Sequence, residues 1–147
     1  MSINTDQLQR VLRALETALV LYERSTAAQS ATEQEVFRMA IIKGFELAQE
    51  LSFKLIKRRL RDFGYTSRRL EATPVKELFR LAAQHGLLSL AEVERWFTYR
   101  DNRNSTAHDY GEAFVQQTLF LLPNFIRDAQ TLAERLHTGS LITGEEV

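Results

Sequence analysis

EQEVFRMAIIKGFELAQELSFKLIKRRLRDF, residues 33–63, carries apolar side chains at Phe37, Ile41, Phe45, Ala48, Leu51, Leu55 and Leu60. Steps of three and four residues bring them to one side of an α-helix for most of that length. A helix so long, with a single apolar side, must bury that side against other elements. Nowhere does the chain keep the period of two that a half-buried sheet requires, so those elements must be helices too. Gly64 follows directly and suits a C-terminal stop. Thr32 and Glu35 have the spacing of a capping box at the start.

Upstream, Leu8, Leu12, Leu15, Leu19 and Tyr22 recur at helical spacing over residues 6–28, widened by Val11 and Ala18, and Asn4 is placed to cap the start. Downstream, Thr73 reads as a cap with Pro74 at the first helical position, opening a short helix through Val75, Leu78, Phe79 and Ala82 that Gly86 ends. Ser89 and Glu92 form a second capping box, and Leu88 with Val93 sits at staple spacing around it. Leu90, Val93, Trp96 and Phe97 give that helix its buried side. Asp109 and Glu112 repeat the cap signature before a last long helix marked by Val115, Leu119, Leu122, Ile126, Ala129, Ala133 and Leu136, which Pro123 should bend without ending. About five helices with short links pack most simply as an up-and-down bundle. The chain is therefore predicted to be a single all-α domain over residues 1–147, with 138–147 a mobile tail.

The totals agree with one domain. With 147 residues and 44% hydrophobic content, the chain can bury a substantial core. Formal net charge is zero, so no overall field draws in nucleic acid or an acidic membrane, and any anion site must be local. The absence of cysteine excludes disulfides and thiolate chemistry. Three scattered histidines lack metal-ligand spacing, and no glycine pattern offers a phosphate-cradling loop, so neither metal nor cofactor is expected. No basic and apolar leader and no membrane-length apolar run is present, which makes a cytoplasmic location the default.

Packing does not account for RDNRNSTAHDY, residues 100–110, which crowds two arginines, two asparagines, a histidine and a tyrosine into a helix junction. On a continuous helix Arg103 and His108 would diverge. If the helix ends between them, a guanidinium, the Asn104 amide and an imidazole converge, with Arg100 nearby. Arginine presents a planar fork to phosphate oxygens and histidine exchanges protons near neutral pH. In RNA the 2′-hydroxyl is an internal nucleophile, so such a set suits phosphodiester cleavage, which needs both a base and an acid. A two-fold dimer would supply two histidines to one cleft. The plainer account is that Arg100, Arg103 and His108 satisfy helix-terminal carbonyls while Tyr110 packs.

The six residues 103–108 match the Arg-x4-His motif of HEPN domains, and His108-Asp109-Tyr110 completes its longer Arg-x4-His-x-Tyr form. In that form the chain resembles HepT-type toxins and the related nucleotidyltransferase substrate-binding subunits. Gly44-Phe45-Glu46-Leu47-Ala48 through Leu51-Ser52-Phe53-Lys54 is similar to the upstream signature of the substrate-binding branch, with Phe53 where that branch often carries tryptophan. The resemblance implies a dimerising helical bundle in which Arg103 and His108 form a metal-independent ribonuclease pair. It also implies a type VII-like toxin whose antitoxin is a minimal nucleotidyltransferase, one that in some systems adds AMP to the motif tyrosine, here Tyr110. A non-catalytic subunit that binds a nucleotide or substrate for the same partner, and a plain helical dimerisation module, are the alternatives.

Elsewhere, Lys54, Lys57, Arg58, Arg59, Arg61, Arg68 and Arg69 read first as a solvated helix end and second as a phosphate-binding strip. His85 and His137 suit helix C-termini. Glu46, four residues from Glu50, could face Arg103 and hold its fork, and Trp96 with Phe97 should pack the core.

Overall fold

A computed structural model describes residues 2–104 and 111–142, the side chain of Asn104 excepted. His108 and Tyr110, and with them the expected convergence on Arg103, lie outside the described residues, as do Asp109 and residues 143–147. The elements are α1 (Asp6–Ala27), α2 (Ala31–Asp62), α3 (Ser67–Glu71), α4 (Val75–Gln84), α5 (Leu90–Asn104) and α6 (Glu112–Thr138). The described residues are all-α, as predicted. The sixth helix is α3, whose five residues are too few to display a period.

Helices α1 and α2 form a hairpin across a three-residue link in which Gln29 takes a left-handed φ of 56°. Their closeness is set by Gly44. A Cβ there would stand 2.6 Å from Leu15 Cδ2, so only hydrogen fits between the two helices. α6 packs against both α1 and α2, while α4 and α5 close the remaining side. The core between them is aromatic at its centre. The Phe125 ring meets Phe45 at 4.8 Å, Tyr99 at 5.2 Å and Trp96 at 5.6 Å, each edge-on, as ring quadrupoles prefer. Trp96 is fully buried, as expected of a packing residue.

The helix ends follow the sequence in part. Gly64 and Gly86 have φ of 101° and 79°, the left-handed values that stop α2 and α4. The Ser89 and Glu92 box forms in both directions, the Ser89 N–H donating to Glu92 Oε1 at 2.9 Å and the Glu92 N–H to Ser89 Oγ at 3.1 Å. Asn4 accepts from the Asp6 N–H. The Thr32 box does not form, because α2 begins earlier, behind Ser30, and Thr32 is already helical. Thr73 is no cap either: its hydroxyl donates back to the Arg69 carbonyl, and Pro74 itself, extended at ψ 149°, is the cap residue of α4. α6 runs through Pro123 as one helix. Pro123 is exposed, so the carbonyl one turn back that loses its donor lies on the wetter side, where the loss costs least.

Both ends of the described residues are pinned near the end of α6. The Ile3 N–H donates to the Leu136 carbonyl at 3.0 Å and the Ile142 N–H to the Gly86 carbonyl at 2.7 Å, so the stretch after Thr138 is tied down at least to Ile142. Buried Arg59 donates to the same Leu136 carbonyl at 2.8 Å, joining the end of α2 to the end of α6. No described helix is long and apolar enough to cross a membrane.

Candidate functional site

Three polar rungs fix how α5 is rotated against α6. At the first, Arg135 donates to both Glu92 oxygens at 2.8 and 3.0 Å. At the second, Asp128 accepts Arg95 as a fork at 2.8 and 2.9 Å and the Tyr99 hydroxyl at 2.6 Å. Asn102, buried, donates to Thr118 at 2.9 Å as the third. From the α2 side, the buried Gln49 amide reaches the Tyr99 carbonyl at 3.3 Å. Charges buried this far are tolerated because each carboxylate is matched by a guanidinium and further donors. Burial, and then the bond to Asp128, raises the pKa of the Tyr99 phenol; the same carboxylate raises that of Arg95.

With α5 held in this rotation, Arg100 and Arg103, one turn apart, face α2. Arg103 Nη2 lies 2.6 Å from Glu50 Oε1, and Arg100 Nη1 lies 4.0 Å from the same oxygen with its guanidinium 5.5 Å over the Phe53 ring. Two like charges thus share one carboxylate. The Arg100 guanidinium is held below its ordinary pKa, first by burial and then by Arg103, against the opposing pull of Glu50. The Arg103 side chain keeps 25% of its surface exposed in the last turn of α5. Arg103, backbone of Asn104 and Arg100 therefore occupy one end of the bundle, on the side of α2.

Glu46 does not hold the fork. It lies one turn before Glu50 and lines a groove of about 480 Å³ with Met39, Ile42, Lys43 and Val115, between α2 and α6. Asp101 pairs with Lys76 at 2.8 Å rather than with the arginines. His85 is a packing and hydrogen-bonding residue, stacked on Phe63 at 4.6 Å with its Nε2 2.9 Å from the Tyr65 hydroxyl. Glu50, which the sequence marks only as the neighbour of Glu46, carries the geometry of the site together with Tyr99 and Asp128, which were not singled out in the sequence. For Asp128 a signal exists: it falls in phase with Leu121, Phe125 and Leu132, and an acid on the buried stripe of a helix must be paired.

A family profile described as nucleotidyltransferase substrate binding protein like matches residues 4–138. The chain is 29% identical, over 108 residues, to a Haemophilus influenzae protein named probable ribonuclease HepT, a match that covers 74% of this chain and 73% of that protein. A solved Haemophilus influenzae structure, described as revealing the fold of a substrate binding domain of a nucleotidyltransferase, superposes with a TM-score of 0.78 at 27% identity. That superposition covers 90% of this chain and 98% of the other.

Proposed function

The chain belongs to the nucleotidyltransferase substrate binding protein-like family, the HepT-like group of HEPN domains, and from that premise we propose that it is a metal-independent endoribonuclease, toxic alone and neutralised by a minimal nucleotidyltransferase. The observation that carries this reading is the station of Arg103. Its guanidinium is paired with Glu50 and partly exposed, in the last turn of α5. In the proposed reaction the RNA 2′-oxygen attacks the adjacent phosphorus and the 5′-oxygen leaves, giving a cyclic phosphate and a free 5′-hydroxyl. Arg103 stabilises the charge that gathers on the phosphoryl oxygens, with Asn104 and Arg100 orienting the phosphate. His108 removes the 2′ proton, and His108 of a second copy, across a two-fold axis, protonates the leaving oxygen. AMP on Tyr110 would bring charge and bulk two residues from His108 and close the cleft.

Incubation of the purified protein with RNA in excess EDTA tests this. Cleavage that disappears in Arg103→Ala and in His108→Ala is expected; an inactive wild type, verified by mass spectrometry to carry no Tyr110 adduct, would sink it.

A second reading draws on the same ion pair. Glu50 offsets part of the Arg103 charge, which suits a site that binds a nucleotide for a partner nucleotidyltransferase rather than one that cuts RNA. Its mark would be saturable nucleotide binding, weakened by Arg103→Ala, in a protein that leaves RNA intact.

A further inference from the structure

The face of α2 that begins at Glu50 continues as a cationic track. Lys54, Lys57 and Arg61 follow Glu50 at steps of four, three and four residues, so all lie within one helical stripe, with Arg58 beside it. From Glu50 to Arg61 the stripe runs about 16 Å. Across residues 50–71 every acid is already engaged: Glu50 by Arg103, Asp62 by Arg59 and Glu71 by Lys57. Lys54, Arg58, Arg61, Arg68 and Arg69 are exposed, and none has a carboxylate partner among the described residues. Arg61 instead donates to Ser67 Oγ at 3.2 Å and so draws α3 and its arginines alongside. A favourable helix dipole accounts for Arg61 in the last turn but not for Lys54 or Arg58, two turns and one turn earlier. Beyond the end of the stripe, round the C-terminal end of α2 on the side of Ile56 and Arg59, stands an aromatic platform. Phe63 lies flat on His85, with an interplanar angle of 11°, and remains 39% exposed.

We infer that this track, from Lys54 to Phe63, is a docking surface for single-stranded RNA that carries one end of the substrate away from Arg103. The inference rests on the ribonuclease reading for the identity of the strand. Unneutralised cations at roughly helical-turn spacing meet successive phosphates, and an exposed ring accepts a base on its π face, the pairing by which single strands are held without sequence readout. In a chain of zero net charge such a surface must be built locally, and here the acids that would dilute it are all occupied.

The test is fluorescence anisotropy with a labelled single-stranded RNA of about twelve nucleotides. It is done in the His108→Ala chain so that the probe survives, between about 50 and about 200 mM salt. Replacing Arg58, Arg61 and Arg68 together by Gln should weaken binding at least ~10-fold and reduce the slope of log K against log salt by about 2. Phe63→Ala should weaken binding about tenfold with the slope unchanged. The three arginines are exposed, so the melt of the triple variant should match the parent, and Phe63→Trp, which keeps a ring on His85, should keep the parent's affinity where Phe63→Ala loses it. Unchanged affinity and slope in both variants would overturn the track. So would intact RNA binding with loss of nucleotidyltransferase binding, which would assign the surface to the protein partner. A chain that binds along the track yet never cuts would remove the nuclease reading and leave the track standing.

Discussion

Glu50 is the residue on which the two functional readings diverge. It is half exposed and its Oε1 lies 2.6 Å from Arg103 Nη2, so its loss should leave the core untouched. If Arg103 works on a reacting phosphate, Glu50→Ala lets the fork wander, and the cleavage rate should fall about tenfold with little change in KM, since positioning is what is lost. If Arg103 only binds, removing the acid should tighten nucleotide affinity. Steady-state kinetics and a binding titration on one variant separate these outcomes. Tyr99 makes a second prediction. Its phenol has a raised pKa in the fold, so the folded protein retains a proton that the unfolded chain gives up above about pH 10. The stability it confers is complete below that pH and is lost as pH rises towards the folded value. Tyr99→Phe should cost about 1 kcal/mol at neutral pH and flatten the alkaline decline in melting temperature. Neither residue stands out in the sequence, and the reasons differ. An exposed glutamate on a polar helix face looks like any other, whereas Asp128, the partner of Tyr99, betrays itself by its phase among Leu121, Phe125 and Leu132.

Among the elements, the long helices are legible because each repeats its apolar step many times, and α3 is not because five residues cannot repeat it. Caps are the weaker signal. Ser89 and Glu92 close their box because Arg135 also grips Glu92, whereas Thr32 has a good spacing but lies inside a helix that Ser30 already begins. Gly44 in the α1 and α2 hairpin belongs to this scale. Read in the sequence as part of a family signature, it is required by contact, since even a methyl group would press on Leu15 Cγ at 2.9 Å as well as Cδ2. Gly44→Ala should therefore destabilise by about 1–3 kcal/mol despite the higher helix propensity of alanine. Leu15→Ala should cost less in that background than in the parent. Chemical denaturation of the four chains gives the coupling, and a coupling of zero would mean the hairpin yields without strain.

For the whole molecule, the polar rungs between α5 and α6 turn a helical bundle into a holder for one guanidinium at one end, and it was the bundle, not the holder, that periodicity could foretell. The same end-to-end bonding has a consequence for chain connectivity. Ile3 rests on Leu136, and Ile142 returns to the turn at Gly86, beside the last stretch of α6. Beginning and close of the fold are therefore neighbours, and the order in which the helices are translated should be dispensable. A circular permutant that joins residues 142 and 3 through a short glycine and serine linker, and opens instead at the Gln29 link, should melt cooperatively near the temperature of the parent. Aggregation of that permutant would mean that the hairpin link, and not the two clasped extremities, is what the bundle needs kept whole.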